Sequence, residues 1–209
     1  MNLLHQPSAN FITGTDTGVG KTYIACKLIE HYVALGYRVV GMKPVAAGCE
    51  LENGVWMNED VQLLTQASNV QAPLELINPY CFHPPIAPHI AAEQAGLQID
   101  LQVIQHAYLQ LTQLADIVVV EGAGGLLVPL NTHATMADLA ALLNIPILLV
   151  VGMRLGCINH TLLTLEVMQQ RHLPLAGWVA NAIDPSMLSA QENLQTLQCH
   201  LAPYPQISL

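Results

Sequence analysis

The segment Gly14-Thr-Asp-Thr-Gly-Val-Gly-Lys-Thr22 sets three glycines ahead of a Lys-Thr pair, directly after the apolar run Phe11-Ile-Thr13. Glycines at 14, 18 and 20 let a backbone wrap closely with its N–H groups turned inward. A helix opening at Lys21 presents its positive end to an anion. The chemistry this suits is nucleotide phosphate binding, with Lys21 reaching the β- and γ-phosphates and the Thr22 hydroxyl ligating Mg²⁺. Five residues separate Gly14 from Gly20 where the usual P-loop has four, so the loop is a lengthened variant.

Three further positions carry reactive groups at strand ends. Glu121 closes Val118-Val-Val-Glu121, ahead of the glycine turn Gly122-Ala-Gly-Gly125. A carboxylate at a buried strand tip is costly unless a cation pairs with it, and nucleotide-bound Mg²⁺ is the expected partner; capping of a neighbouring helix is the alternative. Lys43, in Gly41-Met-Lys-Pro-Val-Ala-Ala-Gly48, offers a compact ammonium able to neutralise an oxyanion in phosphoryl or acyl transfer. The rival is a solvent-facing lysine. Asn181, in Asn181-Ala-Ile-Asp184, keeps the first and last residues of a guanine-reading N-K-x-D pattern without its lysine. It is expected to read a nucleotide base, adenine or guanine.

Weaker signals come from helix starts. Asp60, in Met57-Asn-Glu-Asp-Val61, reads by itself as a charge favouring a helix dipole. Gly156-Cys-Ile-Asn-His160 opens a helix whose free N–H groups suit a carboxylate, or is simply a helix start packed in an interface. Cys157 has no base beside it in sequence, which argues against a nucleophile.

Elements able to position these groups recur along the chain. Nearly continuous apolar runs at 10–14, 37–43, 116–121, 146–151 and 177–181 read as strands buried on both faces. Helical stretches fall between them at 21–35, 58–68, 98–115, 135–144, 157–172 and 186–200. The alternation predicts an α/β fold: one domain over residues 1–209, a doubly wound, mostly parallel sheet flanked by helices, of P-loop NTPase type. Ligands in such sheets collect outside the carboxyl ends of the strands, where Lys43, Glu121 and Asn181 all lie. The Pro-rich 79–88 stretch reads as an ordered loop.

Composition narrows the classes. A net charge of −9 with six Lys and Arg argues against a nucleic-acid or anionic-membrane surface. With 52% apolar and only 10% charged residues, part of the surface is expected to be covered by a second copy of the chain. The run Leu139–Met153 is broken by Asn144 and Pro146 and is too short for a membrane span. Residues 1–10 lack a basic and apolar leader pattern, so the expected location is the cytoplasm. Five cysteines without a C-x-x-C pair read as reduced, packed thiols.

Taken together, the chain resembles the dethiobiotin synthetases of the P-loop NTPase superfamily over about residues 10 to 184. The resemblance rests on Gly14-Thr-Asp-Thr-Gly-Val-Gly-Lys-Thr22, Lys43-Pro-Val-Ala, Asn78-Pro-Tyr with Pro88-His-Ile90, Glu121-Gly-Ala-Gly-Gly125, Leu155-Gly-Cys-Ile-Asn-His160 and Gly177-Trp-Val-Ala-Asn181. It implies ligation of 7,8-diaminononanoate with CO₂, driven by ATP and requiring Mg²⁺, through a carbamate and its phosphorylated form. Nucleotide would then be held by Gly18, Val19, Gly20, Lys21, Thr22, Tyr23, Gly122, Ala123, Gly124, Asn181 and Ala182, and the metal by Thr22, Asp60 and Glu121. Lys43, Lys21 and Thr15 would act on the reacting groups, with Thr15, Lys43 and Ala47 facing the substrate.

The resemblance also implies a homodimer with its active site at the interface, in which Gly156, Cys157, Ile158 and Asn159 of the second subunit receive the substrate carboxylate. Three departures stand out: Gly18 where some relatives carry an acid, Ala47 where a serine is common, and a divergent tail, Pro203–Leu209. The competing readings are a ParA/MinD-like ATP-dependent switch, which usually carries an extra lysine early in the loop, and a degenerate nucleotide binder.

Overall fold

The structure is a computed structural model that describes residues 9–52 and 54–209. The expectation about the leader falls largely on residues 1–8, outside the described residues. In chain order the elements are β1 (Ala9–Gly14), α1 (Lys21–Ala34), β2 (Val39–Met42), β3 (Val45–Ala47), β4 (Glu50–Glu52), β5 (Val55–Met57), α2 (Glu59–Ala67), α3 (Leu74–Ile77), β6 (Tyr80–Phe82) and α4 (Pro88–Gln94). There follow α5 (Leu101–Leu114), β7 (Ile117–Gly125), α6 (Met136–Leu143), β8 (Ile147–Gly152), α7 (Cys157–Gln170), β9 (Leu175–Asn181) and α8 (Ala190–His200).

The main sheet has five strands in the order β2-β7-β1-β8-β9, all parallel. Its strands are buried on both faces because they alternate between two apolar layers. Phe11, Val40, Met42, Val118 and Val120 pack with α5 and α6, whereas Ile12, Val39, Val119, Leu148 and Val150 pack with α1. Helix α1 answers with Ile24, Ala25, Leu28, Ile29 and Tyr32 at helical spacing. A smaller cluster of Leu149, Val151, Leu165, Trp178 and Leu197 joins α7 and α8 to the β8–β9 side.

Caps define the boundaries. Thr135 and Asp138 form a capping box that starts α6, and Asn144, at φ 50°, ends it. The Leu139–Met153 run is thus split into a helix end and a strand, and among the described residues no helix is long and apolar enough to cross a membrane.

Both edges of the sheet are covered. At β2 the Val39 and Gly41 N–H groups donate to Asn69 Oδ1 at 2.7 Å and Ser68 Oγ at 2.9 Å. At β9 the tail runs alongside: Trp178 N–H donates to the Pro205 carbonyl at 3.1 Å, and Ile207 N–H to the Trp178 carbonyl at 2.8 Å. Gly177 is required there, because a Cβ would lie 2.8 Å from both Pro205 O and Ile207 Cδ1.

Three expectations are corrected. The 79–88 stretch is more than a loop: β6 pairs in parallel with β3, and α4 begins at Pro88, a first-turn position that proline tolerates. The glycines after Glu121 extend β7 to Gly125, where it pairs with Gly14, instead of turning at once. Cys49 and Cys81 are joined as a disulfide, because the β3–β6 pairing brings together residues 32 apart in sequence; Cys26, Cys157 and Cys199 are free thiols.

Candidate active site

The P-loop leaves the end of β1, the central strand, and delivers Lys21 and Thr22 at the start of α1. Gly20 is its tightest point. Its φ is 86°, and a Cβ there would lie 2.1 Å from Asn181 Nδ2. Asn181, the last residue of β9, donates that amide to the Val19 carbonyl at 2.9 Å. Buried Lys21 donates to the Asp16 carbonyl at 2.9 Å. Burial, with the nearby Lys43 charge, lowers its pKa to about 8.

Lys43 follows β2 and is only 5% exposed, so the solvent-facing reading is set aside. Its backbone is pinned by N–H donation to Ile77 O at 2.9 Å, and its carbonyl accepts from Asn78 Nδ2 at 2.6 Å. Its Nζ lies 2.6 Å from Glu121 Oε1 and 2.8 Å from Asp60 Oδ2. Burial disfavours the ammonium, but the two carboxylates more than offset this and hold its pKa above the usual lysine value.

Asp60 is therefore more than a dipole charge at the start of α2. Asn58 caps that helix by accepting the Asp60 N–H at 3.0 Å, and its own amide donates to Ala47 O at 3.1 Å. Burial pushes the Asp60 carboxyl upward, yet Lys43 and the Thr22 hydroxyl keep it below its usual range. Glu121, 1% exposed, goes the other way: burial raises it despite Lys43. The Thr22 hydroxyl stands 2.7 Å from Asp60 Oδ1 and 2.9 Å from Glu121 Oε1, donating its one proton to either.

Among the described residues, Glu121 Oε2 is buried without a hydrogen-bond partner. An orphaned carboxylate oxygen beside a hydroxyl and a second carboxylate is a hard-oxygen donor set, and it fits Mg²⁺.

These groups line a cavity of about 730 Å³ together with Gly18, Gly20, Ala47, Ala123 and Gly124. Thr17, Val45, the Pro85–Pro88 stretch and Val128 also line it, and the sequence did not single them out as ligand contacts. Thr15 is not among its walls. It lines a second depression of about 520 Å³ with Asp16, Leu127, His160 and Leu163, so of the two loop threonines it is Thr17 that faces the Lys43 cavity.

Other predicted positions sit apart from the cavity wall. Val19 packs in the core, Tyr23 is exposed, Gly122 packs against Phe11 and Met136, and Ala182 is exposed beyond β9. Gly156, Cys157, Ile158 and Asn159 start α7 outside the lining of this cavity, with Cys157 buried and Leu155 before them 92% exposed. Arg154 pairs with Asp16, linking that start to the P-loop.

A parallel sheet whose central strand feeds a glycine-rich phosphate loop, with a threonine and an aspartate from two helix starts, a glutamate from β7 and a lysine just past β2 converging beside it, defines a P-loop nucleoside triphosphate-binding protein. The AAA domain family matches residues 9–203. The ATP-dependent dethiobiotin synthetase BioD of Nitrosospira multiformis is 57% identical over 203 residues, covering 94% of this chain and 88% of its own. That of Aromatoleum aromaticum is 51% identical over 193 residues, covering 92% and 86%. The chain belongs to the dethiobiotin synthetase family. A ParA family ATPase from Chlorobium tepidum, 12% identical, superposes with a TM-score of 0.55 over 99% of this chain and 85% of its own, a likeness of fold alone.

Proposed function

We propose that this chain, acting as one domain in the cytoplasm and as a homodimer, converts 7,8-diaminononanoate, CO₂ and ATP to dethiobiotin, ADP and phosphate. The observation that carries the reading is Lys43, a buried ammonium held between Glu121 and Asp60 in the wall of the same cavity as the phosphate loop.

One amine of the diamine adds to CO₂, losing a proton, and gives a carbamate. A carbamate oxygen attacks the γ-phosphorus and ADP leaves. The second amine attacks the carbonyl carbon of the phosphorylated carbamate and loses a proton, phosphate leaves with the bonding pair and takes up that proton, and the cyclic urea closes. Lys43 neutralises the carbamate and its phosphorylated form, a role worth ~3 kcal/mol of barrier for one charge-stabilising donor. Lys21 and the loop amides hold the β- and γ-phosphates. Thr22, Asp60 and Glu121 would hold Mg²⁺, and the ion would supply charge neutralisation at the phosphates.

The nucleobase reading rests on Asn181. Its Nδ2 is engaged by Val19 O, which leaves Oδ1 as the amide's acceptor, suited to a base with an exocyclic amine such as adenine. Thr15 keeps the substrate-facing role from the second depression, and Thr17 faces the Lys43 cavity beside it. The second depression, with exposed Leu127 and Leu163, supports a partner-covered face, where the α7 start of the other subunit receives the substrate carboxylate.

The test is incubation with 7,8-diaminononanoate, ¹⁴C-bicarbonate, Mg²⁺ and ATP, with GTP and CTP in parallel. Diamine-dependent acid-stable label matched by phosphate is the expected result. Phosphate without label would sink the ligase reading.

A further inference from the structure

Cys49 and Cys81 sit in the two segments that together wall one part of the active-site cavity. Cys49 follows β3, whose Val45 and Ala47 line the cavity, and Cys81 lies in β6, which leads into the lining stretch Pro85–Pro88. Besides the disulfide, a short ladder and its extension join these segments. The register is Val45↔Tyr80, Ala46↔Cys81 and Ala47↔Phe82. Beyond it, Gly48 N–H donates to Pro84 O at 3.3 Å and Cys49 N–H to Phe82 O at 2.9 Å, while His83 Nδ1 lies 3.0 Å from Cys49 O. The same wall reaches Asp60, because Asn58, the cap of the helix that carries it, donates to Ala47 O at 3.1 Å.

We propose that Cys49 and Cys81 are a redox modification site, exchanging with low-molecular-weight thiols and disulfides, whose oxidised form pre-shapes the cavity wall and so sets affinity for the diamine. The identity of that substrate rests on the function proposed above. A short parallel ladder closing a long loop loses much of its constraint when its covalent tie opens, and a wall ordered before binding costs less affinity than one ordered by the ligand.

The exchange has a defined entry. Cys49 is fully buried, whereas Cys81 is partly exposed, so an external thiolate attacks Cys81 Sγ. That attack forms a mixed disulfide at Cys81 and releases the Cys49 thiolate, which takes up a proton. A second external thiolate attacks the external sulfur and releases Cys81. Two protein thiols and one low-molecular-weight disulfide result, with two electrons passing to the protein. Oxidation by a low-molecular-weight disulfide is the reverse, yielding two free thiols.

The test begins with thiol counting in denaturant. Three thiols, Cys26, Cys157 and Cys199, are expected before reduction and all five after it. Amide hydrogen exchange of wild type is then compared before and after dithiothreitol. Gly48, Cys49 and the 82–88 stretch should lose about tenfold or more of their protection. The diamine KM should rise about threefold or more while the ATP KM stays put. Re-oxidation with glutathione disulfide should restore both, and the Cys49→Ser/Cys81→Ser variant should behave as reduced protein with or without reductant.

Five thiols before reduction would overturn the proposal. So would the release of two thiols with unchanged exchange and KM. The exchange measurement needs no turnover, so absence of dethiobiotin in both states would overturn the function reading while leaving this one to be decided by protection alone.

Discussion

Lys43 Nζ and Glu121 Oε1 lie 2.6 Å apart, both buried, the lysine just past the end of β2 and the glutamate in the neighbouring parallel strand β7. Removing the lysine leaves two carboxylates facing each other without their cation. Lys43→Ala is therefore expected to lower kcat about 10²–10³-fold and to cost about 3 kcal/mol or more of stability. The Lys43→Ala/Glu121→Ala pair should cost less stability than the sum of the singles. Steady-state kinetics and urea unfolding check this, and wild-type turnover in Lys43→Ala would remove the residue from the mechanism.

Lys21 gives a pH signature. Its pKa falls from 10.5 to about 8 through burial and the Lys43 charge, so above pH 8 the nucleotide-free loop loses the ammonium that holds phosphate. ATP favours the charged form, and binding should take up a proton between about pH 8 and the ordinary lysine range. The unfolded chain holds more proton in that window, so the same group makes the nucleotide-free fold gain stability as pH rises through it. Titration calorimetry in buffers of different ionisation enthalpy reads the uptake. An ATP affinity that stays flat from pH 7 to 9.5 would contradict it.

Gly20 and Asn181 compete for one space. In Gly20→Ala the new Cβ would strike Asn181 Nδ2 and sit at φ 86°, so ATP affinity should fall tenfold or more, about 1–2 kcal/mol for the left-handed backbone alone. Adding Asn181→Ala to that variant should recover part of the loss. Binding titration of a nonhydrolysable ATP analogue separates the two contributions.

Ala47 lines the cavity at the position where the resemblance leads to the expectation of a serine. Ala47→Ser supplies one hydroxyl toward the substrate, and the diamine KM should drop by about fivefold, the scale of one hydrogen bond near 1 kcal/mol. The ATP KM should not change.

The main sheet was legible because its strands are apolar without interruption and helical stretches alternate with them. The small sheets were not. A three-residue strand such as Tyr80–Phe82 shows no period, and its flanking prolines read as loop. The glycines at 122–125 look like a turn in isolation and become strand only through pairing with Gly14. The Cys49–Cys81 bond depends on the same hidden pairing.

At the site, residue types were informative and directions were not. Thr15 and Thr17 are equivalent in sequence, and only the path of the loop decides which faces Lys43. The burial of Lys43 follows from Asn78 and Ile77 gripping its backbone, contacts made from a distant segment.

The covered edges of the sheet restrict how copies of this chain can meet. With the Val39 and Gly41 N–H groups of β2 taken by Asn69 and Ser68, and Trp178 of β9 by the 203–209 tail, each edge already has backbone groups engaged that another strand would need. Self-assembly by strand addition, whether into a continuous intersubunit sheet or an aggregate, is thereby disfavoured. Side chains on helices and loops are left as the surface for association, one that recognises shape rather than bare peptide, and the last seven residues guard an edge as much as they complete the fold.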